Sequence, residues 1–248
     1  MNKSKEMSKR QVRREKMRRE AARTRLISIG LIVLGAVLVA FFLIYPNLKP
    51  VGEITTITPQ EYPLVDKNSM GKADAPVSVD VWEDFQCPAC RNFSDDTKPL
   101  LVENYISKGL VRLTYHFYPF IDDNSASKES DHSANAAMCA ADQGRFWDMH
   151  DIIFANWNGE NQGAFADRRL LAFAEALGLD MDAFQSCFND DKYADLIQQD
   201  MQDGLALGIT STPTILVDGK LVTNPAGANY VPGYEDIAAA IDAALATK

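Results

Sequence analysis

The 248 residues include only three histidines and four cysteines, and show no internal repeat or low-complexity tract. So few cysteines exclude a disulfide-dense miniature scaffold, yet they suffice for one reactive site and one staple. Basic charge is also scarce over most of the chain. The first 25 residues hold 11 lysines and arginines against 3 glutamates, a net of +8, and the remaining 223 carry a net of −17. An acidic body of that kind argues against binding nucleic acid or an anionic membrane through its own surface. A hydrophobic content of 46% excludes a wholly disordered chain.

Between the two charge regimes runs Leu26 to Tyr45, where Ser28 is the only strongly polar side chain. Twenty helical residues rise ~30 Å, the thickness of a bilayer's hydrocarbon core. A cleaved signal peptide shares the basic start, but its apolar run usually spans ~7–15 residues and ends in small side chains. This run ends in Phe41-Phe42-Leu43-Ile44-Tyr45-Pro46. We therefore read 1–25 as a basic arm and 26–45 as an uncleaved transmembrane helix with Tyr45 at the far interface. The arm, from Lys3 and Lys5 to Arg25, precedes the span, and Lys49 stands nearly alone after it. The positive-inside rule then puts the N-terminus in the cytoplasm and the rest outside. Topology and contact with anionic lipid account for the arm without nucleic acid.

Residues 46–69 carry Pro46, Pro50, Pro59 and Pro63, which predicts an extended tether with a short strand near Ile54–Ile57 joining the sheet. Residues 70–248 read as one α/β domain of ordinary size. Val77 to Trp82 alternates as a strand, a helix follows to about Lys108, and Val111 to Phe117 is a second strand. About 124–207 is helical. One apolar stripe runs through Phe146, Met149, His150, Ile153 and Trp157, and a second through Leu170, Leu171, Ala174 and Leu177. Asp218-Gly219 marks a hairpin between Thr214–Val217 and Lys220–Val222, and a last helix starts at Tyr234.

The chemistry concentrates in Cys87-Pro88-Ala89-Cys90, directly after a strand and opening a helix. Unpaired amides and the positive dipole end favour a thiolate at Cys87, and Pro88 fits the first turn, where its missing N–H costs nothing. Such a site lowers a thiol pKa from ~8.5 to as little as ~3.5–7.5. Cys87 is the expected nucleophile, and Cys90, one turn on, the resolving thiol. A zinc half-site is the competing reading, but it needs two more ligands. The other cysteines lie 49 and 97 residues beyond Cys90, and His116 and His132 are not in a paired spacing. No metal and no cofactor is expected.

Glu83-Asp84-Phe85-Gln86-Cys87-Pro88-Ala89-Cys90 and Ser211-Thr212-Pro213-Thr214 resemble the two active-site segments of the DsbA-type thiol–disulfide oxidoreductases. Cys139 to Trp147 is similar to a segment of the membrane-tethered bacterial members. The resemblance covers about Met70 to the C-terminus. It implies a thioredoxin fold with an inserted helical subdomain, preceded here by one transmembrane helix. It also implies a cis bond at Thr212–Pro213, packed against the cysteine pair, with the Thr212 backbone binding an extended substrate peptide. By the same resemblance the enzyme donates its Cys87–Cys90 disulfide to exported proteins. A membrane redox partner of the DsbB or VKOR type then reoxidises it. A reductase or isomerase using the same residues is one alternative, and a non-catalytic client- or metal-binding module is another. Ala89 stands where many strongly oxidising members have His, which predicts a couple less oxidising than ~−120 mV. Glu83 and Asp84 have two readings, proton acceptor or plain strand-end polar residue.

Cys139 shares a helix face with Phe146, and Cys187 with Phe184, so both point into the helical core. Outside the cytoplasm such a pair oxidises when within reach, and we expect a structural Cys139–Cys187 disulfide. Two separate buried thiols and a second redox relay are the other readings. His150 reads as a core histidine rather than a catalytic base.

Overall fold

The computed structural model describes residues 9–48, 51–124, 127–224 and 231–248, in two units divided at Pro50. The first unit is helix α1, Lys9–Leu48, which continues the apolar run back through the basic residues. Arginine, lysine and glutamate are good helix formers, so that extension has no local breaker. Its most apolar stretch has a mean hydropathy of 2.5, and among the described residues no other helix is long and apolar enough to cross a membrane. Lys3, Lys5 and Pro50 lie outside the described residues, as does the side chain of Tyr45.

The second unit is built on a five-stranded sheet. Its strands are β1 Ser69–Met70, β2 Val77–Glu83, β3 Val111–Phe117, β4 Thr214–Val217 and β5 Lys220–Leu221, in the order β1-β3-β2-β4-β5. β2 and β3 run parallel from Val77 opposite Val111 to Glu83 opposite Phe117, and the other pairings are antiparallel. Val77, Val79 and Val81 on β2 and Leu113, Tyr115 and Phe117 on β3 are buried, so the β-branched alternation of the sequence becomes one core face. The crossover between them is helix α2. It opens as Pro88–Asn92, widens into π-turns at Phe93–Thr97 and Val102–Ile106 around Lys98–Leu101, and stops at Gly109, whose φ is +71°. The β4–β5 turn is Asp218-Gly219, both at positive φ, as an Asp-Gly hairpin requires.

Between β3 and β4 stand the inserted helices: α3 Glu129–Ala141, α4 Phe146–Ala155, α5 Asp167–Ala176, α6 Met181–Asn189 and α7 Ala194–Ala206. Buried alanines 134, 136, 137, 140 and 141 let neighbouring helices close around α3. Within this cluster Cys139 of α3 and Cys187 of α6 are joined by a disulfide, S–S 2.00 Å. Helix α7 returns the chain to the sheet. A Cβ at Gly204 would stand 2.9 Å from the Tyr118 ring, so only glycine permits the approach. Asp200 on the same helix accepts from the Phe117 amide (2.9 Å) and faces His116. Helix α8, Tyr234–Leu245, packs against β4 and β2.

Three expectations change. No strand forms at Ile54–Ile57, where the Asn156 side chain takes both the Thr55 amide (2.9 Å) and the Thr55 carbonyl (2.8 Å) in place of a ladder partner. Arg169 also donates to the Val51 and Glu53 carbonyls, so residues 51–69 are packed on the domain rather than extended as a tether. Trp157 lies past the end of α4 rather than on its apolar stripe, and its indole faces the cysteine turn.

Candidate active site

Strand β2 delivers Glu83 and Asp84 to the edge of the core, and the chain then turns sharply. The Cys87 amide donates to the Asp84 carbonyl (3.0 Å), and the Gln86 amide donates to Asp84 Oδ1 (2.8 Å). This Asx-type closure puts Cys87 in extended geometry at the N-cap of α2, with Pro88 next. Cys87 is only 6% exposed and Cys90 is fully buried, and both are unbonded thiols.

Pro213 follows a cis Thr212–Pro213 bond at the start of β4 and brings Thr212 against the cysteines. Cys87 Sγ donates to the Thr212 carbonyl at 3.4 Å. The Thr212 hydroxyl is buried beside the two cysteines. The Cys90 thiol, the Thr212 hydroxyl and the amides of Cys90 and Ala89 all favour the ionised form of Cys87, lowering its pKa to about 6 against the opposing effect of burial. Burial, the Cys87 sulfur and Glu83 push Cys90 well upward. The pair is therefore asymmetric: one thiol ionises near neutral pH, and the other keeps its proton.

The two acids at the strand end separate clearly. Asp84 accepts from the Gln86 amide, the Ile121 amide (3.1 Å) and the Ser130 hydroxyl (2.6 Å), so it clamps the turn; burial still lifts its pKa to about 7. Glu83 is buried with Oε2 unpartnered among the described residues, and burial raises its pKa well above the carboxylate range, opposed by the Lys98 charge. Lys98 is itself buried. It donates to Tyr62 Oη (3.0 Å), pairs with Asp151, and lies 3.3 Å from His150 Nδ1. Burial depresses the His150 pKa to about 4, so this histidine is neutral and packed among Phe85, Trp147 and Phe154.

Glu83, Asp84, Cys87, Pro88, Ala89, Cys90, Thr212 and Pro213 converge here, whereas Cys139 and Cys187 bond to each other in the helical subdomain. Ala89 places a methyl where an imidazole would offer charge. Arg91 pairs with Asp95 (3.5 Å) and lies over the Trp157 ring. Three residues escaped the sequence reading: Gln86, Trp157 and Lys98. Lys98 had a signal, since it lies eight residues past Cys90 and so on the same buried helix face. Trp157 had none, because its contact spans 71 residues. Among the described residues, no group of three or more His, Cys, Asp or Glu side chains is placed to hold a metal ion.

Comparison with known proteins accords with this geometry. Residues 65–243 match the family model described as Thioredoxin. A probable disulfide bond formation protein D of Bacillus anthracis is 30% identical over 183 residues, covering 72% of this chain and 78% of that protein. The Na(+)/H(+) antiporter NhaA 3 of Salinispora tropica is 35% identical over 150 residues, but the chain spans only 21% of its length. Among solved structures, oxidised BdbD from Bacillus subtilis superposes with a TM-score of 0.61 at 24% identity, over 77% of this chain and 99% of that one. DsbA from Chlamydia trachomatis gives 0.59 at 20% identity, over 79% and 99%. With the matched region enclosing the whole cysteine and proline constellation, the chain belongs to the thioredoxin-like family as a DsbA-type thiol–disulfide oxidoreductase.

Proposed function

We propose that the chain is a membrane-tethered oxidase of exported proteins, with Cys87 as nucleophilic sulfur and Cys90 as resolving sulfur. The observation that carries this is the Cys87 thiol at a helix start, facing the Thr212 carbonyl at 3.4 Å and held far below the Cys90 thiol in pKa. In the oxidised enzyme, a substrate thiolate attacks Cys87 Sγ. A mixed disulfide forms, the Cys87–Cys90 bond breaks, and Cys90 leaves with the bond's electron pair and takes a proton. Glu83 is the acid beside it, and burial raises its pKa well above the carboxylate range, which favours the protonated form. A second substrate thiolate then attacks the substrate sulfur, releasing Cys87 as a thiolate. Two electrons have passed from the substrate dithiol to the enzyme pair. The low Cys87 pKa makes it a good leaving group in that last step.

The Thr212 carbonyl and amide offer an extended peptide the edge of an added strand, which favours an unfolded, cysteine-bearing polypeptide as client. Helix α1 anchors the domain, with its basic end in the cytoplasm and the thioredoxin domain outside. Reoxidation falls to a quinone-linked membrane partner of the DsbB or VKOR type. The test is oxidative refolding of a reduced client by the pre-oxidised protein. Cys87→Ser and Cys90→Ser should each abolish it, because neither variant can hold the Cys87–Cys90 disulfide, whereas full activity in Cys87→Ser would remove the assignment. A reduction potential at or below about −270 mV would favour the reductase.

A further inference from the structure

Gln86 has no redox chemistry, yet it is fully buried and uses both its side-chain and its backbone polar groups. Its Nε2 donates to Asp122 Oδ1 (2.8 Å) and Ser130 Oγ (2.9 Å), and its Oε1 accepts from the Asn161 amide (2.6 Å). Its amide donates to Asp84 Oδ1 (2.8 Å), and its carbonyl accepts from Trp157 Nε1 (2.7 Å). Apart from Asp84, these partners come from the 3-10 turn Phe120–Asn124, from α3 and from the segment after α4. The inserted subdomain thus grips the reactive turn at the residue before the nucleophile. A buried amide whose partners are all in place is held firmly, because losing any of them strands a polar group in the interior.

The Gln86 carbonyl and the Cys87 amide belong to one planar peptide unit. Trp157 holds its oxygen, and the Asp84 carbonyl holds its N–H at 3.0 Å. With both ends pinned, one side of the Cys87 φ of −73° is held, and the Arg91 amide on the Cys87 carbonyl (3.1 Å) holds the other, which directs Sγ to Thr212 and to the amides at the helix start. Trp157 is braced in turn, by the Arg91 guanidinium over its ring and by its neighbour Asn156, which is tied to Thr55.

We propose that Trp157, acting through the Gln86 carbonyl, is a positioning residue for the nucleophile, so that the inserted subdomain tunes the reactivity of Cys87. The inference rests on Cys87 being that nucleophile. If the peptide unit is freed, the thiolate loses alignment with its donors, the reduced form is favoured less, and the disulfide becomes less oxidising. The ionisable groups around Cys87 are Cys90 and Arg91 on its own helix, Glu83 and Asp84 at the end of β2 and Tyr115 on β3; the substitutions below replace none of them and keep an aromatic ring beneath Arg91.

The test uses Trp157→Phe in the full chain, which keeps the ring and removes the N–H donor. Gln86→Met serves as a second variant that removes the side-chain grip and keeps the carbonyl. Thiolate absorbance against pH should show the Cys87 midpoint rising from about 6. For a rise of about one pH unit, the equilibrium with glutathione near pH 7 should shift about five-fold toward the enzyme disulfide, since ionisation stabilises the reduced form less. A lowered Tm with midpoint and glutathione equilibrium unchanged in both variants would overturn the proposal. If instead the low-pH thiolate of the parent chain survived Cys87→Ser, the nucleophile assignment would be what failed.

Discussion

Cys87 and Cys187 are both buried sulfurs, 6% and 8% exposed, yet their surroundings oppose each other. Around Cys87 stand donors: the Cys90 thiol, the Thr212 hydroxyl and two backbone amides. Beside Cys187 stands an acceptor, Asp142 Oδ2 at 3.8 Å, already engaged by Lys192 (2.7 Å) and, through Oδ1, by Tyr193 (2.5 Å). A thiolate is welcome at the first site and would meet a carboxylate at the second. The spacing differs in kind as well. Two residues separate Cys87 from Cys90 at a turn, whereas the Cys139–Cys187 link spans 48 residues and ties two helices of one cluster. Reactivity thus follows from the dipoles aimed at a sulfur, and stapling from the length of chain it closes.

The sharpest way to break the comparison is to remove Cys87 from the first pair and both sulfurs from the second. Cys87→Ser should reduce client oxidation by at least ~10³-fold, since covalent transfer is lost outright. Cys139→Ser with Cys187→Ser should leave Cys87 chemistry nearly intact. Disulfide-dependent relay activity in that double variant's parent, lost on substitution, would show that the second pair is more than a staple. Next comes Glu83→Gln, which removes the buried acid proposed as proton carrier to Cys90 while keeping the shape. It should slow the Cys90 step on the order of 10²-fold and flatten its pH profile, as stopped-flow measurements across pH 5–9 would reveal. An unchanged profile would leave Glu83 as a mere strand-end residue.

Smaller effects concern stability. The double cysteine variant should lose roughly 4 kcal/mol in urea unfolding, the value chain-entropy models give for a loop of this length. Cys87 adds a pH-dependent difference between redox forms. Its folded pKa of about 6 lies below the ordinary thiol value, so the reduced form gains stability as pH rises from about 6 to about 9 and loses it as pH falls through 6. The oxidised form, with no thiol to titrate, should lack that trend. His116 carries the opposite sign. It sits between Asp80 (3.2 Å) and Asp200 (3.3 Å), whose carboxylates outweigh burial and raise its pKa to about 9. Its contribution, on the order of 2 kcal/mol, is complete below about pH 6.5 and fades as pH climbs through about 9. His116→Gln should erase that alkaline loss in both redox forms, so it cancels when reduced and oxidised curves are subtracted.

Much of this was legible because it is local. Cys-Pro-Ala-Cys after a β-branched strand, and the Asp-Gly hairpin, depend on neighbours within a few residues. The helical insertion followed from its apolar stripes. What stayed hidden is what distant chain supplies. Asn156 converts a predicted strand at Ile54–Ile57 into a packed segment from 101 residues away. Glu83 and Asp84 look alike in sequence, and only Ile121 and Ser130, brought in by the fold, make one a clamp and leave the other with an unpartnered oxygen. Trp157 fits a helical stripe by period, yet the helix ends at Ala155 and its indole turns to the Gln86 carbonyl.

One experiment bears most directly on the division of labour between the two pairs. The oxidised protein is equilibrated across graded glutathione buffers, quenched by alkylation, and each cysteine is scored by mass spectrometry. Cys87 and Cys90 should become alkylated together at a potential well above about −270 mV, while Cys139 and Cys187 stay linked beyond about −300 mV. Opening of Cys139–Cys187 first, or both pairs opening together, would contradict the account.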